Sequence, residues 1–277
     1  MKRLFATLIA LFSLSALAQP AGVIDSVQFP AFLDRGKESI PAAVGMPLRV
    51  GDMLRTGPGA RLILKLNEGS FVKLGENTRF QIEKAEKKGA IAGYALSIVE
   101  GAFRFTTAAV TKLVPRNVSI KVANNATIGI RGTDLWGRGR DDKDIVCLIE
   151  GKIEIVGNDK KLLTLDQPLQ FFQSTRNAPP ESLSFIDVKQ LTVWGAETEL
   201  EPGKGSKADG EWRVMVGAVS RDAAIGLRSI LRKAGYPAEL AAGKTVTIGK
   251  LGGQPEANDL ALKLKTEFKL DDVKIGK

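Results

Sequence analysis

Apolar and polar residues alternate along most of the first two thirds of the chain. In Arg61-Leu62-Ile63-Leu64-Lys65-Leu66, the leucines at 62, 64 and 66 fall on one face, and Val118-Ser119-Ile120-Lys121-Val122 repeats the pattern. A period of two places alternate side chains on opposite faces of a strand. Turn chemistry punctuates these runs at Gly57-Pro58-Gly59, Asn67-Glu68-Gly69, Glu76-Asn77 and Asn124-Asn125. Three Glu-Gly pairs, at 68–69, 100–101 and 150–151, each separate two apolar runs. Short strands at close spacing predict an antiparallel all-β domain over residues 19–175, built as a sandwich, roll or short β-helix. Its one helical candidate is Ala85 to Ile91.

The rhythm then changes twice. Residues 176–210 read as a connector, opened by Ala178-Pro179-Pro180 and closed by Pro202-Gly203-Lys204-Gly205-Ser206-Lys207. Within it, Phe185, Val188, Leu191 and Trp194 recur at three-residue steps, which predicts one short helix docked on the β domain. The stretch after Glu201 is expected to be flexible. Residues 211–277 predict a strand at Trp212–Val219, a helix at Asp222–Ala234 stopped by Gly235, and short strands at 238–241 and 244–249. A second helix then starts near Pro255 and a last strand covers Asp272–Ile275. The order is βαββαβ, the α+β ferredoxin-like plan, in which two helices cover one sheet face.

The opening residues bear on compartment. Met1-Lys2-Arg3 is basic, Leu4 to Leu17 is almost wholly apolar, and Ala16-Leu17-Ala18 has the small-x-small form of a cleavage site. Residues 1–18 therefore read as a secretory signal peptide, and the mature protein is expected to be periplasmic with no stable membrane span. Gln19 offers no thiol for lipid attachment. Removal of Lys2 and Arg3 with the leader would lower the formal charge of +9 to +7, spread without any run of five like charges. Such a distribution suits anionic envelope material better than nucleic acid, which favours a concentrated basic stripe.

Composition closes several chemistries. The sequence has no histidine and one cysteine. Imidazole-dependent triads, Cys-His pairs and His-ligated zinc are excluded, while carboxylate, lysine and serine-lysine chemistry remain open. Together with the two resemblances given below, this leads to the expectation of a non-enzymatic protein with no catalytic residue, cofactor or metal. Cys147, inside Ile145-Val146-Cys147-Leu148-Ile149, reads as a buried apolar residue. Asp141-Asp142-Lys143-Asp144 lacks the spacing of a calcium loop and reads as a solvated hairpin loop. Gly137-Arg138-Gly139-Arg140 lacks a phosphate-loop context.

Two resemblances add to this reading. The βαββαβ order, opened by Trp212-Arg213-Val214-Met215-Val216-Gly217 and continued by Thr245 to Leu251, resembles a SPOR domain over residues 211–277. The resemblance implies binding to peptidoglycan glycan strands stripped of their stem peptides. Met215, Ala218, Val219 and Lys250-Leu251 stand where that family has Gln, Ser, Phe and Pro-Phe. Alternation places Val214, Val216, Val246, Ile248, Val273 and Ile275 toward the helices. Arg213, Met215, Thr245, Thr247 and Lys274 then lie on the open face as candidate glycan-binding residues. The absence of aromatics from Thr245 to Ile248 disfavours RNA on that face.

Upstream, the chain resembles the FecR domain of exported bacterial proteins. The carriers are Val50-Gly51-Asp52, Thr56 to Arg61, Leu74 to Asn77, Val99 to Phe103, and Ala126-Thr127-Ile128-Gly129-Ile130-Arg131-Gly132-Thr133-Asp134. Arg131, held between turn residues, reads either as a buried ion-pair partner or as a recognition residue. The best-known members signal to a sigma factor across the inner membrane, which requires a cytoplasmic segment and a retained span. Here the resemblance implies an interaction or scaffold module with an envelope protein partner. The expected molecule is thus multidomain: an all-β FecR-like sandwich or roll followed by a small SPOR-like domain. The alternative is a protein-interaction or signalling scaffold whose C-terminal domain leaves glycan unbound.

Overall fold

The computed structural model describes residues 19–89, 91–107, 116–123, 126–130, 132–157, 159–176, 178 and 183–277. The leader at 1–18, the Asn124-Asn125 turn, Pro179-Pro180 and Arg131 lie outside the described residues. The strands of the first part, in chain order, are β1 (Gly22–Gln28), β2 (Ala31–Arg35), β3 (Glu38–Pro41), β4 (Pro47–Leu48), β5 (Met53–Thr56) and β6 (Arg61–Leu66). Next come β7 (Phe71–Leu74), β8 (Arg79–Lys88), β9 (Ile91–Thr106), β10 (Arg116–Val122), β11 (Ala126–Ile130) and β12 (Asp134–Gly139). The part closes with β13 (Lys143–Glu150), β14 (Ile153–Gly157), β15 (Leu162–Leu165), β16 (Gln170–Thr175) and β17 (Ser184–Phe185).

These strands form two sheets. One runs β1-β6-β7-β9-β12-β13-β16-β17, antiparallel throughout. The other runs β3-β2-β5-β8-β9-β10-β11-β14-β15, with β9 and β10 parallel and the remaining pairs antiparallel. The long β9 belongs to both: residues 92–98 pair with β10 in the second sheet, and 101–106 pair with β12 in the first. The change of sheet falls at Glu100-Gly101, where Gly101 has φ +99° and a Cβ would run into Thr78. Glu150-Gly151 performs the same transfer between β13 and β14, with Gly151 at φ +92°. Only Glu68-Gly69 closes a simple hairpin, between β6 and β7. Identical dipeptides therefore serve different ends, because glycine supplies the positive φ that both a tight turn and a strand corner need.

The alternating faces meet as read from sequence. Leu62, Leu64 and Leu66, and Val118, Ile120 and Val122, are all buried. Ala85 to Ile91 departs from expectation. In place of a helix, β8 runs to Lys88, a turn follows, and β9 starts at Ile91, pairing Lys88 with Ile91. Cross-strand pairing overrides the local helix propensity of Ala, Glu and Lys. Asp144 also departs from the loop reading: it is a buried residue of β13, opposite Gly139 and Ser174, and only residues 140–142 turn.

The connector contains α1 (Val188–Ala196) and β18 (Ser206–Lys207). Asp187 caps α1, its carboxylate accepting from Gln190 N at 2.7 Å. Of the four stepped apolar residues, Trp194 is buried and Leu191 packs against its cluster, while Phe185 and Val188 face solvent. The stretch after Glu201 is ordered instead of flexible. β18 pairs with β1 through Ser26–Lys207 and Val27–Ser206, and with the C-terminal sheet through Ser206–Leu251.

That sheet belongs to β19 (Trp212–Gly217), α2 (Arg221–Lys233), β20 (Glu239–Leu240), β21 (Thr245–Leu251), α3 (Gln254–Glu267) and β22 (Val273–Gly276). In chain order these give βαββαβ. The strands lie in the order β22-β19-β21-β20, all antiparallel. Val214, Val216, Val246, Ile248 and Val273 are buried beneath the helices with Leu231, Leu260 and Leu264. One contiguous apolar cluster joins this core to the β sandwich. No helix among the described residues is long and apolar enough to cross a membrane.

Candidate functional site

The C-terminal sheet turns its second face away from the helices, and the register fixes what lies there. Met215 sits opposite Lys274 on one side and Thr247 on the other, and Thr247 sits opposite Glu239. Lys274, Met215, Thr247 and Glu239 thus form one row across four strands. Thr245 pairs with Gly217 two residues along, and Arg213 pairs with Gly276. All five candidate residues are on this face, Arg213 and Lys274 exposed, the other three half-buried.

They are not equally placed. Arg213 and Thr247 line a cleft of about 600 Å³ that is also lined by the β-domain segment Ala43–Pro47. Met215 and Lys274 continue the row outside it, and Thr245 lies beyond it along β21. The Thr247 hydroxyl oxygen is shielded from solvent and has no hydrogen-bond partner among the described residues. Arg213 has no ion pair among them. A guanidinium with no ion pair among the described residues, set in a concave surface, is a group that orients a polar ligand.

Two cleft residues escaped the alternation rule. Trp212 would point to the helices by strict alternation, but β19 carries a register shift between Trp212 and Val214. The bulge lets the indole both pack on the core and line the cleft, with the Lys277 ammonium 5.6 Å from the ring centre. Glu239 comes from the two-residue β20, too short for periodicity to orient.

The Ala43–Pro47 segment is held in place by the joint. Ala31 N donates to Gly235 O at 3.2 Å, and Gly235 has φ +90° with the Phe32 ring where a Cβ would sit. Tyr236 packs between Phe29 and Phe268, ring centres 6.3 and 5.8 Å away. Burial pushes the Tyr236 hydroxyl up to about 12. Gly205 N donates to the buried Glu256 carboxylate at 3.0 Å, and Lys204 pairs with Asp259. Burial raises the Glu256 carboxyl above its ordinary value, against the opposing pull of the Gly205 hydrogen bond and Lys204.

A second polar cluster lies beneath the end of α1. The Trp194 ring stacks on Trp136 at 4.6 Å and 10°. Arg104 donates twice to Asp134, at 2.9 and 2.6 Å, and once to Glu199 at 2.7 Å. Lys73 also reaches Glu199, and Arg138 reaches Glu197 at 2.9 Å. The carboxylates of Asp134 and Glu199 raise the Arg104 guanidinium further above its ordinary value. Every charged group in this cluster has a partner, so it fastens the acidic connector to the basic sheet face. Cys147 lies in the same apolar layer, its thiol pushed up to about 12 by burial, which leaves it unreactive. Among the described residues no group of three or more acidic or cysteine side chains could hold a metal ion.

Comparison with known proteins bears on the β domain. Residues 52–154, from the turn before β5 to the start of β14, match the family model described as FecR protein. This segment is a FecR domain. No curated protein matches the chain. Among solved structures, the chain is similar to a candidate anti-sigma factor from Parabacteroides distasonis. It is 14% identical, with 81% of this chain and 98% of that one covered and a TM-score of 0.43. A second crystal structure of such a protein from the same organism gives 14% identity, 78% and 91% coverage and the same TM-score.

Proposed function

We propose that the protein is an exported, non-catalytic scaffold of the bacterial envelope that binds peptidoglycan glycan strands through its C-terminal, SPOR-like unit. The observation that carries this reading is the cleft beside the row Lys274-Met215-Thr247-Glu239, lined by Arg213, which has no ion pair among the described residues, and by the Trp212 indole. Sugars present apolar C–H faces and polar hydroxyl rims, and an aromatic ring beside hydrogen-bonding side chains meets both. Removal of stem peptides leaves a carboxylate on each lactyl group of the strand. The Arg213 guanidinium is suited to donate two parallel hydrogen bonds to that carboxylate. A stem-bearing strand lacks the charge and carries bulk at the same atom, which supports a preference for denuded strands.

Co-sedimentation of the mature chain with amidase-treated and untreated sacculi tests this. Greater retention on treated sacculi, reduced by Arg213→Gln, is expected. Equal retention on both would sink the glycan reading. The second reading, an envelope interaction or signalling scaffold, is favoured by the FecR domain at 52–154. Its mark would be a protein crosslinked to residues 19–175 in cells, with no glycan retention.

A further inference from the structure

We propose that the cleft is a composite binding site in which the FecR-side segment Ala43–Pro47 is a working wall, so that the C-terminal unit alone holds only half of the site. This deepens the glycan reading and rests on it. The two sides of the cleft differ in chemistry. The C-terminal side offers Arg213, Glu239 and Thr247 beside Trp212, while the β-domain side offers Ala43, Val44, Met46 and Pro47. A pyranose ring has two faces and a polar rim, so the C-terminal side alone, with Trp212 as its one aromatic ring, meets one face and part of the rim and leaves the other face in water. Between the two sides both faces are met, and burial of apolar C–H surface adds to hydrogen bonding.

The wall is built to stay where it is. Gly45 N donates to Ile24 O at 2.9 Å, Ile24 N to Met46 O at 3.0 Å, and Met46 N to Ala43 O at 3.2 Å. Gly45 has φ +84°, a turn that keeps its exposed backbone without a side chain at the cleft. β18, hydrogen-bonded to β1 and to β21 at once, fixes the spacing between the two sides. Opposite charges balance around the opening: Arg213 and Lys250 against Glu211 and Glu239. This leaves no strong field, as suits a ligand of sugar hydroxyls with isolated carboxylates.

The four methionines of the sequence give a direct readout, since Met1 is lost with the leader and three methyl signals remain. Met46 is in the wall, Met215 in the row on the sheet face, and Met53 on β5, outside the cleft, serves as internal reference. The mature chain, residues 19–277, with isotope-labelled methionine methyls is titrated with soluble glycan strands released by amidase. The Met46 and Met215 signals should shift together on one saturation curve while Met53 stays. Met46→Ala and Pro47→Arg should each weaken the apparent affinity at least about fivefold, roughly 1 kcal/mol, with the Met53 signal unmoved as proof of folding. A shift of Met215 with Met46 unmoved overturns the composite site. So does wild-type affinity in both wall variants while Arg213→Gln loses binding. If neither methyl responds, the glycan reading itself has failed, and this inference with it.

Discussion

Trp194 shows how much one residue can hold. It is the one buried apolar side chain of a helix in which Val188 and Val193 are exposed and Leu191 is half-buried beside it, so the docking of α1 rests on the stack with Trp136, on Leu191, and on Glu197 and Glu199 beyond it. Trp194→Ala is expected to cost roughly 3–5 kcal/mol in denaturant unfolding and to open residues 183–200 to protease. Unchanged proteolysis would show that α1 is held by something else. Glu256 sets the pH behaviour of the joint. Its folded carboxyl value lies above the ordinary 4.5 because of burial. The folded chain therefore holds this proton more tightly than the unfolded one. The stabilisation is complete below the unfolded value and is lost as pH rises through the folded value. Glu256→Gln keeps an acceptor for Gly205 N and removes the titration. Relative to the parent it should gain thermal stability as pH rises above the ordinary carboxylate value of 4.5, measured as Tm at each pH. A parallel pair of Tm curves would contradict the assignment.

Among elements, β18 has the largest consequence for its size. Its two residues join β1 and β21, and Ser206 Oγ donates to Lys250 O at 2.7 Å. Proline lacks the N–H that a strand residue donates, so Ser206→Pro should loosen the joint without unfolding either part. Hydrogen exchange should then accelerate at residues 26–27 and 250–251, and scattering should report a larger radius of gyration; unchanged exchange would show that the joint is held elsewhere. Sequence read this segment as flexible because Pro202, Gly203 and Gly205 carry loop chemistry, and two strand residues leave no period to detect. The longer elements were legible for the opposite reason. β6, β10, α2 and α3 each run for several repeats of an apolar period, and their buried faces are those that the period marks. Ala85 to Ile91 was misread because a solvent-facing hairpin takes its conformation from cross-strand pairing, which no local window contains.

At the scale of the molecule, the charge division along the chain becomes spatial. The acidic connector lies on a basic face of the sandwich, Lys73, Arg104 and Arg138 meeting Glu199 and Glu197. The connector thereby continues one sheet into the next, and two units that sequence set side by side on a tether share a core and a cleft. The five candidate residues share one face because strand alternation is a local rule. Trp212 needed knowledge of a bulge, and the Ala43–Pro47 wall needed a contact spanning well over a hundred residues, which a single sequence does not encode visibly. A mechanical consequence is that whatever the FecR domain contacts is held at a fixed orientation to whatever occupies the cleft. The glycan claim is tested most directly by titration calorimetry of the mature chain with soluble strands, amidase-denuded in one cell and stem-bearing in the other. Saturable binding of the denuded strands, at least about tenfold tighter than that of the stem-bearing ones, roughly 1.4 kcal/mol, is the predicted result. Equal affinity for both, or no saturable binding, would contradict it.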